Sequence, residues 1–192
     1  FILTFPFRKI GSSMALSISS TGFSAMLFNL ILIFTFQVYY GYLFHWIGIL
    51  VSVFMGGIAL GGYFSTMNLG RIKNDYLYFS GTEISIFLFA LFLPLIFTFT
   101  LGNPFIFLFL SLIGGILIGI QFPLANKIYL RNSLNLSKTA GLLYSADLLG
   151  GWLGGMLGGI FILPLLGVYG SCLVISSLKL ASFIVFYFTR KT

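Results

Sequence analysis

Six apolar runs, separated by short polar or turn-rich gaps, organise this chain. They cover about residues 14–37, 44–66, 77–100, 104–125, 141–164 and 168–189. A run of roughly 20 residues is what a helix needs to cross hydrocarbon about 30 Å thick. Barrel strands would be about half as long and would alternate in polarity, which these runs do not. The pattern predicts an all-α, polytopic membrane protein with six transmembrane helices in one membrane domain spanning residues 1–192. The chain begins FILTFPFRKI rather than at a Met. That start reads as the interior of a longer product, so a fragment of a longer protein is expected.

The gaps give an orientation. Arg8 and Lys9 precede the first run, Arg71 and Lys73 lie in the second gap, and Lys127, Arg131 and Lys138 in the fourth. Arg190 and Lys191 end the chain. The first, third and fifth gaps carry no Lys or Arg. Nine of the 10 basic residues thus fall on one side, all but Lys179, and the positive-inside rule makes that side cytoplasmic. Both ends are then expected inside (N-in/C-in). Tyr39, Tyr40, Tyr42, His45 and Trp46 gather on the other side, as an interfacial belt would.

Composition agrees with the runs. Only 7% of residues are charged and 59% are hydrophobic, whereas a soluble domain carries about a quarter charged residues. The net charge of +7 would suggest a nucleic-acid partner if the basic residues clustered. They are spread over the gaps instead, so the expected partner is the lipid bilayer and nucleic acid is not expected. A single Cys172 and a single His45 leave no intrachain disulfide and no multi-cysteine or bis-histidine site. No metal, no cofactor and no catalytic constellation is expected, and the chain is not expected to be an enzyme.

Two kinds of residue stand out inside the runs. The first is glycine at four-residue spacing: Gly57 and Gly61, Gly115 and Gly119, and the ladder Gly150, Gly154 and Gly158. Small residues at this spacing let helix backbones approach closely where lipid offers no hydrophobic gain. The ladder reads either as plain packing or as a sliding surface in a protein that rocks. The second is the ionisable set Glu83, Asp147 and Lys179. At about 1.5 Å per residue, Glu83 and Asp147 lie about 9 Å into their runs and Lys179 about 15 Å. Charges at such depths are costly and usually face inward and pair, so the two acids and the one base, at compatible depths, are expected to form a buried polar cluster. Adjacent runs joined by a three-residue gap should neighbour each other, so Asp147 is expected to pair with Lys179. The alternative leaves Glu83 at headgroup level and Lys179 snorkelling alone. Asn29, Gln121 and Tyr144 could line a polar groove with Asp147, or serve as separate interhelical hydrogen bonds. Asn29 in particular should find a partner. Pro94, Pro123 and Pro164 should kink or end helices.

Several stretches resemble one family. These are Gly22–Phe28 (GFSAMLF), Phe54–Gly61 (FMGGIALG), Gly119–Ala125 (GIQFPLA) and Gly141–Gly167, which opens Gly-x-x-Tyr-x-x-Asp-x-x-Gly and closes LPLLG. Together they resemble the membrane part of bacterial spermidine-synthase-like transmembrane proteins, which is similar to half of a major-facilitator bundle. The family often carries a Glu where this chain has Asn29. The facilitator loop between the second and third spans is only weakly echoed by Asn68–Lys73. The aminopropyltransferase domain with its catalytic acids is missing. The resemblance implies a fold and a bacterial inner (cytoplasmic) membrane, and it does not imply polyamine synthesis. Three functions follow as expectations. The first is a scaffold or anchor subunit of a larger membrane complex, with other membrane subunits or a second helical half as partners. The second is a transporter-like protein moving a small cationic solute. The third is the membrane half of a split synthase-like protein with a soluble partner.

Overall fold

The computed structural model describes residues 10–41, 44–70, 74–99, 103–130 and 136–191, with the side chains of residues 10, 136–138 and 190–191 left out. Arg8, Lys9, Tyr42, Arg71, Lys73 and Arg131 therefore lie outside the described residues, as do the side chains of Lys138, Arg190 and Lys191. The orientation rests on these residues in sequence only.

Helices α1 (Ile10–Tyr40), α2 (Phe44–Asn68), α3 (Asp75–Phe99), α4 (Phe105–Leu130) and α5 (Leu136–Leu157) follow one another. A π-helical turn (Gly158–Ile162) then leads into α6 (Leu163–Lys191), and no strand occurs among the described residues. Among the described residues, five continuous helical runs are long and apolar enough to cross a membrane. The last, Thr139–Thr189, is 51 residues long and merges the fifth and sixth apolar runs. It is broken at Gly167, where φ of 65° and ψ of −170° leave the helical region. Only glycine adopts that conformation readily. The π turn precedes Pro164, which has no N–H to give the carbonyl four residues back. The chain widens by one residue, and the Leu163 N–H reaches Gly158 O instead. Pro94 and Pro123 stay inside continuous helices.

Helix ends are closed locally. Gly41, at φ 85°, ends α1 and donates its N–H to Gln37 O at 2.9 Å. Asn103 Oδ1 accepts from the Phe105 N–H at 3.1 Å and caps α4.

Helix directions follow from the contacts. Along α1 and α5, Ser19 faces Gly150, Phe23 faces Gly154 and Leu27 faces Gly158, so the two run parallel. Along α1 and α6, Thr21 meets Lys179 and Ser17 meets Ser182, so they run antiparallel. The chain thus reverses between α5 and α6. Even so, these two helices do not pack on each other. Helix α5 rides on α1, while α6 lies against α1 and α3. The short connection does not make neighbours, because the π turn and Gly167 swing α6 to the other side of α1.

Helix α1 is the most enclosed. Of its most apolar window 72% is buried, against 22% for α2. That position explains its serines: Ser20 and Ser24 bond carbonyls of their own helix, which is cheap in hydrocarbon. Two apolar clusters fill the bundle. One contains Leu27, Phe28, Phe36, Phe54 and Phe107. The other, toward the start of α1, contains Met14, Ile18, Phe79, Leu124 and Phe186. At the far end, Tyr40 and Trp46 stack on Phe36 rather than standing free.

Candidate functional site

Between the two apolar clusters lies a polar layer centred on Lys179. Its side chain, from the middle of α6, is fully buried, as is Glu83 of α3. An ammonium has three donors, and each finds an acceptor: Thr21 Oγ1 at 2.7 Å, Gln121 Oε1 at 3.1 Å and Glu83 Oε1 at 3.3 Å. The layer extends outward. Thr21 also meets Gln121 Oε1, Gln121 Nε2 donates to Thr82 Oγ1 at 3.4 Å, and Ser182 donates to Ser17 Oγ at 2.9 Å. Helices α1, α3, α4 and α6 are joined through one cation. A buried charge is tolerated only when paired and hydrogen-bonded, and Lys179 meets both conditions.

Lys179 therefore pairs with Glu83, and Asp147 forms no ion pair within 4.0 Å among the described residues. Asp147 packs against α1 at Gly22. A Cβ placed on Gly22 would lie 2.7 Å from Asp147 Oδ1, one residue along from the Thr21 that holds Lys179. The expectation of an Asp147–Lys179 pair rested on α5 and α6 being packed neighbours, and they are not.

The glycines lie on two helix seams. In α2 and α4, Cβ atoms at Gly57, Gly61, Gly115 or Gly119 would strike backbone atoms of the facing helix. In α5, Gly150 and Gly154 do the same against the α1 backbone, and Gly158 meets the Leu27 side chain. Ser111 Oγ donates to Leu50 O at 2.9 Å and Ser65 Oγ to Ile120 O at 3.1 Å along the α2–α4 seam. Backbone-to-backbone approach of this kind is what glycine permits in lipid.

An open cleft of about 770 Å³ lies between the α1–α5 pair and the α2–α4 pair. Tyr144 and Asp147 line it, together with Thr21, Gly151 and Trp152. Of the four proposed groove residues, Tyr144 and Asp147 are thus brought together. Gln121 is fully buried within the polar layer, and Asn29 is buried elsewhere on α1. Asn29 Oδ1 has no hydrogen-bond partner among the described residues. A partner is expected for Asn29 from its sequence; its Oδ1 goes without one because the neighbouring positions of α1, Leu27, Phe28, Ile31 and Leu32, pack in the apolar cluster.

A second ion pair lies where α2 ends and α3 begins. Lys127 Nζ is 2.7 Å from Asp75 Oδ1 and 2.5 Å from Leu69 O, so the end of α4 holds the end of α2 and the start of α3. The sequence places Lys127 in a loop. The helix runs on to Leu130 and makes it a structural side chain. Thr21, Thr82, Ser17 and Ser182 are further members of the polar layer that hydropathy does not flag. Hydroxyls are common in membrane helices, and only their bonds within this layer distinguish these four, of which Thr21 alone touches Lys179.

No family signature, curated protein or solved structure matches the chain.

Proposed function

We propose that this chain is an integral membrane subunit that serves as a scaffold within a larger helical assembly, in the manner of one half of a two-part bundle. On this reading it crosses the membrane six times with both ends on the side of the basic gaps. The 51-residue run would be about 77 Å long as one straight helix. That is more than twice a hydrocarbon core of about 30 Å, so it crosses twice and turns at Gly167. The resemblance to the membrane part of spermidine-synthase-like proteins, and with it a bacterial inner membrane, belongs to the same proposal.

One observation carries the scaffold reading. The two glycine seams are closed to backbone contact, yet the cleft between the two helix pairs stays open. A bundle complete in itself would fill that space, whereas a half leaves it for what completes it. The test is purification from native membranes in mild detergent, with a photo-crosslinking residue at Trp152 on the cleft wall. Fixed stoichiometry with a second membrane polypeptide, crosslinked at residue 152, is expected. A single-chain particle with no crosslink at that position would refute the scaffold.

A second reading, transport of a small cationic solute, is favoured by Asp147, which faces the cleft and makes no ion pair within 4.0 Å among the described residues. Uptake into proteoliposomes that is lost in Asp147→Asn would support it.

A further inference from the structure

We infer that the cleft between the α1–α5 and α2–α4 pairs is a binding site for a lipophilic organic monocation, with Asp147 as its counter-charge. The chain has three acidic residues, Asp75, Glu83 and Asp147. Asp75 is matched by Lys127 at 2.7 Å, and Glu83 by Lys179 at 3.3 Å. Lys179 has no donor left, because Thr21 and Gln121 take the other two. Asp147 is the remaining carboxyl; it packs against Gly22 of α1, next to Thr21, and makes no ion pair within 4.0 Å among the described residues. Two interior carboxyls therefore face one interior ammonium. An unmatched charge in hydrocarbon is costly and calls for a partner.

The shape of the site says what kind of partner. A cleft of about 770 Å³ falls within the roughly 300–1,000 Å³ typical of small-ligand sites. Its wall is apolar and aromatic apart from Thr21, Tyr144 and Asp147. Trp152 and Tyr144 stand largely exposed at its side, and their ring faces attract cations. Glycine sets the depth on the α5 wall. Gly150 and Gly154 are consumed against α1, but the next face of the ladder is freer. A Cβ on Gly151 would meet Met26 Cγ at 3.5 Å and Gly22 O at 3.7 Å, both ordinary contact distances. An apolar body bearing one positive charge matches this wall. An anion meets a like charge, and a hydrated metal ion finds no second oxygen-bearing acid, since no group of three ligating residues exists among the described residues.

This inference rests on the second reading above and gives the cleft a ligand where the scaffold reading gives it a partner helix. Transport requires binding, but binding does not require transport. Saturable binding without uptake would defeat transport and leave the site standing.

The experiment uses the full chain in nanodiscs of neutral phosphatidylcholine, with empty nanodiscs subtracted. Tetraphenylphosphonium is the cationic probe and tetraphenylborate its anionic counterpart of the same shape. Saturable binding of the cation alone is expected. It should weaken about tenfold or more in Asp147→Asn, as removal of a charge-assisted contact does, and be largely retained in Asp147→Glu. Gly151→Val, whose Cβ starts at ordinary contact distance from both neighbours, should weaken binding while leaving the fold intact. If Asp147→Asn does not fold, the cation–anion comparison and Gly151→Val decide. Absence of saturable cation binding to the wild-type chain overturns the proposal and leaves Asp147 to a proton or to a partner helix. Equal binding of the two probes, or unaltered binding in a folded Asp147→Asn, overturns it as well.

Discussion

Replacing Gly154 by Ala isolates what the glycine ladder contributes. A Cβ at Gly154 would lie 2.5 Å from Phe23 O and 2.8 Å from Phe23 Cα, and Cβ contacts under 3.0 Å are essentially never seen. Both obstacles are backbone, so no side chain can turn away, and α1 and α5 must part by about the missing 0.5 Å. Overpacking of this kind costs about 1–3 kcal/mol. A gap of 0.5–1 Å also forfeits about a quarter to a half of each dispersion contact along the seam. Gly151→Ala is the matched control. It makes the same chemical change on the same helix, but its Cβ meets Met26 Cγ at an ordinary 3.5 Å. Any change in helix propensity, about 0.8–1 kcal/mol in water, cancels between the two. Their difference reads the seam alone, with Gly154→Ala about 1–3 kcal/mol the less stable. Reversible unfolding of the purified protein by sodium dodecyl sulfate in mixed micelles measures it. If the two variants are equally stable, α5 does not lie on α1 as described, and the close-packing argument fails for the whole ladder.

Two further predictions use the same unfolding measurement or hydrogen exchange. Gly167→Ala forces a side chain onto φ 65° and ψ −170°, so it should destabilise by about 1–3 kcal/mol; an unchanged midpoint would mean that the chain turns elsewhere. Lys127→Met removes the link from α4 to Asp75 and to Leu69 O, so amide exchange should rise at the end of α2 and the start of α3 and stay unchanged in the polar layer.

The helices were legible because the bilayer leaves few options. Backbone groups in hydrocarbon must be satisfied within the segment, so apolar runs of sufficient length become helices whatever their detail. The glycine spacing was legible for a similar reason, since four-residue periodicity keeps residues on one face. Helix neighbours were not legible. The expectation that α5 packs on α6 used connection length, but a π turn and one glycine with positive φ decide where α6 goes. Neither leaves a hydropathy signal. The partner of Lys179 was lost with that step, and Glu83 took the place assigned to Asp147. Gln121 and Asn29 illustrate the same limit. Both are buried amides, yet one lies within reach of Lys179 and the other has an unpartnered carbonyl. Their helix register decides this, and composition does not record it.

Coupling energies at Lys179 test the central claim, that its charge is spent on Glu83 and leaves Asp147 for the cleft. Two double-mutant cycles, Lys179→Met with Glu83→Gln and Lys179→Met with Asp147→Asn, would be measured by reversible unfolding in micelles. Lys179→Met alone strands a buried carboxylate and should cost about 3–5 kcal/mol. Adding Glu83→Gln should recover much of that loss, a coupling of about 1–3 kcal/mol, whereas the cycle with Asp147, which makes no ion pair with Lys179 within 4.0 Å, should show a clearly smaller coupling. Additivity with Glu83 and strong coupling with Asp147 would contradict the account.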